Sequence, residues 1–152
     1  MDFKKLNFVI FCVGSVADAL KMSAKDVYQR MSKGGIISDY IVPCYDMLHT
    51  FSREYIVEDL VDLMNKKGVL KTAWESISHY RIMQANPILL QRKYARIVKL
   101  FAEKTGLTYE QALDFFYNSK TFELISEGVA DMHCLSDEYL AEELIIERNK
   151  QL

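Results

Sequence analysis

The amino-acid sequence predicts an all-α protein, a compact bundle of about eight or nine helices built by tandem duplication of a small helical unit. Three observations support this fold class. Apolar residues recur every three or four positions along much of the 152-residue chain, and no stretch alternates with the period of two that strands show. Capping sequences and glycines divide the chain at helix-like intervals. A twelve-residue stretch of the first half also recurs in the second half.

The first two predicted helices are bounded by a cap and a pair of glycines. Residues 3–20 place apolar side chains on one face at every fourth position. Ser23 is the N-cap of the second helix, since a serine oxygen accepts a hydrogen bond from an amide of the first turn. Gly34 and Gly35 end that helix, because glycine readily adopts the left-handed conformation of a helix stop.

The next two predicted helices lie on either side of a proline. Ser38 is expected to cap the first of them, and Pro43 then removes one backbone hydrogen bond, which predicts a kink. Ser52 caps the second, which is expected to run over residues 52–67 and to end at Gly68.

A connecting helix over residues 73–84 is expected to lead into the second half. Asn86 and Pro87 open the helix that follows, because proline is favoured at the first helical position, and Gly106 ends that helix. The predicted organisation is a first repeat unit over residues 1–70, a connecting segment over 71–85 and a second repeat unit over 86–152, packed into one domain.

The two halves share their helix-start signals. Thr108 opens a capping box at the place that Ser23 occupies in the first half. Residues 49–60 and 133–144 are identical at six of twelve positions. We interpret this similarity as a duplication, in which helices 52–67 and 136–149 hold equivalent positions.

The charge and cysteine content exclude several classes of protein. Net charge is −2, and residues 1–76 hold ten basic and ten acidic side chains, so no basic surface for nucleic acid is expected. No apolar run approaches the roughly 20 residues of a membrane span. Three scattered cysteines favour reduced thiols and a cytoplasmic location. A cleaved signal peptide ending near Ala17 is the less favoured interpretation of the N-terminal apolar run.

Two aspartate–histidine pairs are the candidate metal ligands. Asp46 and His49 are three residues apart, which places both on one helix face, whereas Asp131 and His133 are two apart. Each histidine also lies three residues before a capping serine, where it can bond to the carbonyls that end the preceding helix. Capping or packing is the favoured interpretation, and a metal site is the alternative.

No motif of enzyme chemistry is present. The sequence lacks a glycine-rich phosphate loop, an HExxH pair and a serine elbow. It therefore predicts no catalytic residue and no cofactor, and it favours a protein that is not an enzyme.

Two features point towards a protein partner. Eight acidic side chains and no lysine or arginine lie between Glu123 and Glu147, which predicts either a solvated face or a docking surface for a basic protein. The expected outward residues of this acidic tract are Glu138, Glu142 and Glu147. Phe115 points away from the apolar stripe of its helix, so it is either buried by the other repeat or exposed as an anchor.

The tracts Tyr40-Ile-Val-Pro-Cys-Tyr45 and Glu54-Tyr-Ile-Val-Glu-Asp-Leu60 resemble a bacterial family catalogued as domain of unknown function 3791. The resemblance is strongest over residues 4–70, and the second half looks like an extension found in longer members. Members of this family resemble accessory partners of ADP-ribosyltransferase-like proteins. The resemblance therefore implies an antitoxin-like or immunity-like binding role.

Together these observations favour a cytoplasmic, non-catalytic protein-interaction module with a basic, ADP-ribosyltransferase-like protein as its partner. The alternatives are a metal-dependent enzyme and a helical protein that binds a small ligand between its repeats. Homo-oligomerisation is left open.

Overall fold

The computed structural model describes residues 1–70 and 87–151, and neither range contains a strand. This result confirms the all-α class. Of these residues, 8–70 form one compact unit, here the N-terminal unit, while 1–7 and 87–151 form a second, the C-terminal unit. The predicted connecting helix over residues 73–84 lies outside the described residues.

The N-terminal unit follows the predicted helix starts and stops closely. In chain order its elements are α1 (Phe3–Leu20, whose first residues group with the other unit), α2 (Ala24–Lys33), a π-helix (Ile37–Ile41), α3 (Tyr45–Leu48) and α4 (Arg53–Lys66). The hydroxyl oxygen of Ser23 accepts a hydrogen bond from the amide of Asp26 at 3.0 Å, as a cap should. Gly35 has a φ of 66°, the left-handed conformation expected of the glycine stop.

The segment around Pro43 departs from the prediction. Ser38 does not cap a helix, because it lies inside the π-helix, and its hydroxyl donates to Oδ1 of Asp39 at 2.7 Å. Pro43 lies in a turn between the π-helix and α3 and so separates two short helices; it does not kink a longer one. A break suits proline because it has no amide hydrogen to donate.

The C-terminal unit confirms the signals predicted for the second half. Its elements are α5 (Pro87–Thr105), α6 (Tyr109–Asn118), α7 (Lys120–Ser126), a 3₁₀-helix (Val129–Cys134) and α8 (Asp137–Gln151). Gly106 ends α5 with a φ of 70°. Thr108 and Gln111 make both bonds of the capping box, at 3.1 and 3.2 Å.

An aromatic cluster holds three helices of the C-terminal unit together. Tyr94 of α5, Phe116 and Tyr117 of α6 and Phe122 of α7 are all buried, and neighbouring ring centroids lie 4.9–5.4 Å apart. Such pairs contribute about 0.5–1.5 kcal/mol each beyond the burial of their area.

The two units show the same order of elements. Each has a long helix of 18 or 19 residues, a ten-residue helix, two short helical segments and a final helix. Both final helices begin at a serine whose oxygen accepts from the amide three residues later, at 3.3 Å from Ser52 and 3.2 Å from Ser136. The duplication itself stays a prediction.

No single helix in the described ranges is long and apolar enough to cross a membrane. By length and composition alone, α1 and α2 together are long and apolar enough, but the pair is bent by 115°.

Candidate interaction surface

The first aspartate–histidine pair lies in the N-terminal unit. His49 caps the end of α3: its Nδ1 lies 2.7 Å from the carbonyl oxygen of Tyr45, and the two rings stack with centroids 4.6 Å apart. This is the carbonyl contact that the sequence favoured. Asp46 is exposed on the same short helix.

The second pair lies in the C-terminal unit, in a strained segment. Ala130 and Asp131 have φ angles of 50° and 54°, a left-handed conformation that costs non-glycine residues free energy. His133 is half-buried, and its Nδ1 has no hydrogen-bond partner among the described residues. Within those residues no three His, Cys, Asp or Glu side chains are grouped as metal ligands. The metal hypothesis stays a prediction, which elemental analysis of chelator-free protein would test.

Four of the eight acidic side chains in the acidic tract interact with other residues of the chain. Asp137 accepts hydrogen bonds from Nζ of Lys93 at 3.1 Å and from Nε of Arg96 at 2.6 Å. Burial alone would raise the pKa of this carboxyl, but the bonds from Arg96 and Lys93 outweigh it and hold the pKa below its ordinary value. Glu142 likewise pairs with Lys104. All three cations belong to α5.

Two further glutamates of α8 interact within the chain. The carboxylate of Glu143 raises the pKa of the Tyr139 phenol, which lies one turn earlier on the helix. Glu147 is half-buried, and its carboxylate accepts hydrogen bonds from the amides of Lys120 and Thr121 at 2.7 and 3.0 Å, at the start of α7. Of the three glutamates expected to face outward, Glu147 therefore does not, because it caps a neighbouring helix.

The two remaining predicted contact residues differ in exposure. Glu138 is exposed and makes no ion pair with the described residues. Phe115 is half-buried, with its ring 5.3 Å from that of Phe101 in the same unit. The C-terminal unit thus partly covers the aromatic ring by itself.

The N-terminal unit carries exposed apolar residues that were not among the predicted contact residues. Met47, Phe51 and Tyr55 are 53%, 40% and 51% exposed, and the rings of the two aromatic residues lie 4.6 Å apart. We call these three residues the aromatic corner. They follow one another at intervals of four residues, across the junction of α3 and α4.

A signal for this corner was present in the sequence. Ile56, Leu60 and Met64 form the buried face of α4. Tyr55 precedes Ile56 by one residue, and adjacent residues on a helix point about 100° apart, so Tyr55 has to lie off the core face. The pattern of buried residues therefore predicts an exposed aromatic ring.

Contacts around the corner hold α4 in place. The hydroxyl of Tyr40, in the π-helix, donates to Oδ2 of Asp59 in α4 at 2.7 Å. This bond, then burial, raises the pKa of Tyr40 to about 12, and the nearby Cys44 and Tyr55 add to the shift. At the start of the helix, Arg53 donates to the hydroxyl oxygen of Ser15 at 3.2 Å.

Comparison with known protein families identifies this part of the chain. The model of a family described as a protein of unknown function (DUF3791) matches residues 7–67. We call this matched range the DUF3791 region. This finding confirms the resemblance seen in the sequence, and no curated protein and no solved structure matches the chain. The aromatic corner and both residues of the Tyr40–Asp59 bond lie inside the DUF3791 region.

Proposed function

We propose that this protein is a non-catalytic interaction module and that the aromatic corner of its DUF3791 region binds a partner protein. The observation that carries the proposal is that Met47, Phe51 and Tyr55, each at least 40% exposed, occur at one junction of helices, with the two aromatic rings 4.6 Å apart. Single exposed apolar residues are common, but grouped ones mark interaction surfaces. Tyrosine is also among the residues that contribute most to binding free energy.

The supports of the corner favour a preformed surface. Arg53 bonds to Ser15 and Asp18 of α1, and Asp59 bonds to Tyr40 of the π-helix, so α4 is attached at two levels. A surface that is ordered before binding loses less conformational entropy on association.

The resemblance to the DUF3791 family supplies the class of partner. Because members of that family resemble accessory proteins of ADP-ribosyltransferase-like proteins, we propose such a protein as the partner. Binding would then neutralise it, as an antitoxin or immunity protein does. The partner's identity rests on this association alone.

The test is an affinity purification at low salt from the source cells, with the tagged full-length chain. The partner is identified by mass spectrometry and its affinity is measured by calorimetry with purified proteins. The double variant Phe51→Ser/Tyr55→Ser should weaken binding at least about tenfold, since interface aromatics often contribute more than about 2 kcal/mol.

The chain offers a matched control for this experiment. Leu135 and Tyr139 hold the corresponding positions before and in α8, and they are 37% and 49% exposed. The variant Leu135→Ser/Tyr139→Ser makes the same kind of change in the C-terminal unit and should leave the affinity within about twofold. No specific protein partner, or equal losses in the two variants, would refute the proposal.

A further inference from the structure

We infer that the aromatic corner binds a cationic amphipathic segment of a partner protein, in which arginine or lysine lies beside an apolar face. The two exposed glutamates beside the corner, Glu54 and Glu58, would receive the positive charges. This inference rests on the proposed function and adds the chemistry of the partner.

The spacing on α4 places these charges beside the apolar surface. Residues three or four apart on a helix share a face, so Tyr55 and Glu58 are neighbours, and Glu54 lies one turn before Glu58. Both glutamates are exposed. Neither side chain makes an ion pair or a hydrogen bond with the described residues.

Nearby cations on α4 do not neutralise these glutamates. Nη2 of Arg53 lies 2.9 Å from Oδ2 of Asp18, and Nζ of Lys66 lies 2.5 Å from Oδ2 of Asp62. The two basic side chains of α4 are therefore already paired with other carboxylates. Glu54 and Glu58 consequently keep their negative charge without a paired cation among the described residues.

The corresponding helix of the C-terminal unit differs at one of these two positions. Glu142, which matches Glu58 in the sequence repeat, is paired with Lys104 of α5. Glu138, which matches Glu54, is exposed and makes no ion pair with the described residues, as is true of Glu54. Glu58 is therefore the carboxylate that is left open in the N-terminal unit alone, where a partner can supply the cation.

The charge selects among the classes of partner. Nucleic acid and anionic membranes would both be repelled by Glu54 and Glu58. In a two-fold dimer through the corner, the same surface would meet itself and bring like charges together. A cationic protein segment has none of these costs, and its arginines can also stack on the exposed ring of Tyr55.

The test uses a synthetic amphipathic helical peptide with arginines at a spacing of four and leucines on the adjoining face. The isotope-labelled full-length chain is titrated with it and followed by amide resonance shifts. We expect the largest shifts between residues 46 and 62. Glu54→Gln/Glu58→Gln should weaken binding about fivefold at low salt, and the difference should shrink near 1 M salt, where the Debye length is only about 3 Å.

The control variant carries the same change of charge elsewhere. Glu127 and Glu138 are exposed residues of the C-terminal unit, and Glu127→Gln/Glu138→Gln should leave peptide affinity within about twofold. Shifts centred outside residues 46–62, or equal weakening by both variants, would overturn the inference. So would binding of the chain to phosphatidylserine vesicles through the corner, or concentration-dependent dimerisation that Tyr55→Ala abolishes.

The peptide experiment separates this inference from the proposed function. If a natural partner depends on Phe51 and Tyr55 but the peptide binds elsewhere, the interaction module stands and the cationic chemistry is wrong. If the peptide binds at the corner but no natural partner is found, the proposed function fails while the charge preference of the surface is established.

Discussion

The hydroxyl of Tyr40 donates a hydrogen bond to Oδ2 of Asp59 at 2.7 Å and so joins the π-helix to α4. Each residue belongs to one of the two tracts that carry the DUF3791 resemblance. The bond therefore gives those tracts a shared physical role, which is to fix the helix that presents Tyr55.

Removing this hydroxyl should lower stability in a pH-dependent manner. Tyr40→Phe should cost about 1 kcal/mol at neutral pH, because a hydrogen bond to a charged acceptor is lost at a partly exposed site. The pKa of Tyr40 is raised to about 12 from an unfolded value near 10. The stability that Tyr40 contributes is thus complete below about pH 10 and is lost as the pH rises towards 12.

Urea unfolding of wild type and Tyr40→Phe between pH 7 and 11 measures this difference. Tyr109→Phe is the control, since that hydroxyl makes no hydrogen bond to the described residues. If the difference in free energy of unfolding between wild type and Tyr40→Phe stays constant above pH 10, the Tyr40–Asp59 bond does not form in solution.

Asp137 should make the C-terminal unit sensitive to acid. Lys93 and Arg96 hold the pKa of Asp137 below its ordinary value despite burial. Asp137→Asn should therefore cost about 1–2 kcal/mol at pH 7. The pKa of Asp137 is lower in the folded than in the unfolded protein. Its contribution to stability is therefore present above the unfolded pKa of about 4 and disappears as the pH falls through the folded pKa.

Denaturation curves of wild type and Asp137→Asn at pH 7, 5 and 3 test this pH dependence. The stabilities of the two proteins should become more similar as the pH falls. Glu127→Gln, at an exposed position directly after α7, serves for comparison. Equal differences between wild type and Asp137→Asn at all three pH values would mean that the contact with α5 does not depend on the charge of Asp137.

The two serine caps should contribute alike. Ser52→Ala and Ser136→Ala should each cost about 1 kcal/mol, because an amide of the first helical turn loses its acceptor. Ser32→Ala, an exposed change near the end of α2, should change the free energy of unfolding by no more than about 0.5 kcal/mol. Thermal unfolding of the three variants provides the comparison. If Ser52→Ala and Ser136→Ala each lower the free energy of unfolding by less than about 0.5 kcal/mol, α4 and α8 start elsewhere in solution.

The helix boundaries were predictable because their signals are local. Ser23, Thr108 and Ser136 each bond to an amide three residues later, and such a bond depends on neither long-range packing nor the partner helix. The predicted cap at Ser38 was wrong because it, too, rested on a local signal alone. Ser38 has the chemistry of a cap, but the chain there continues from Ile36 into a π-helix, and its hydroxyl bonds to its neighbour Asp39.

The pairing of the acidic tract was not predictable in the same way. Asp137 and Glu142 meet cations about 40 residues away, and only the packing of α5 against α8 brings them together. A weaker signal existed in the sequence. Arg96 and Lys104 follow Lys93 by 3 and 11 residues, which puts all three cations on one face of α5. When one helix has a basic face and another an acidic face, ion pairs between the two helices are to be expected first, and binding of a charged partner only second.

Glu147 provides the last prediction, because its role separates internal structure from partner binding. Its carboxylate accepts from the amides of Lys120 and Thr121 and from the hydroxyl of Thr121 at 2.8 Å. These amides are at the start of α7, where no carbonyl of the same helix can accept them. Glu147→Ala should cost about 1–2 kcal/mol, and Glu147→Gln less, since one amide oxygen still accepts.

Calorimetric unfolding of both variants beside Glu127→Ala, an exposed change that should be nearly neutral, tests this role. If Glu147→Ala is as stable as Glu127→Ala, the carboxylate does not hold α7 and is free to meet a partner. If Glu147→Ala is destabilised as expected, a binding defect in a Glu147→Lys variant reports disruption of the C-terminal unit. Contacts with a basic partner are then expected at exposed carboxylates that make no ion pair with the described residues, which include Glu54, Glu58 and Glu138.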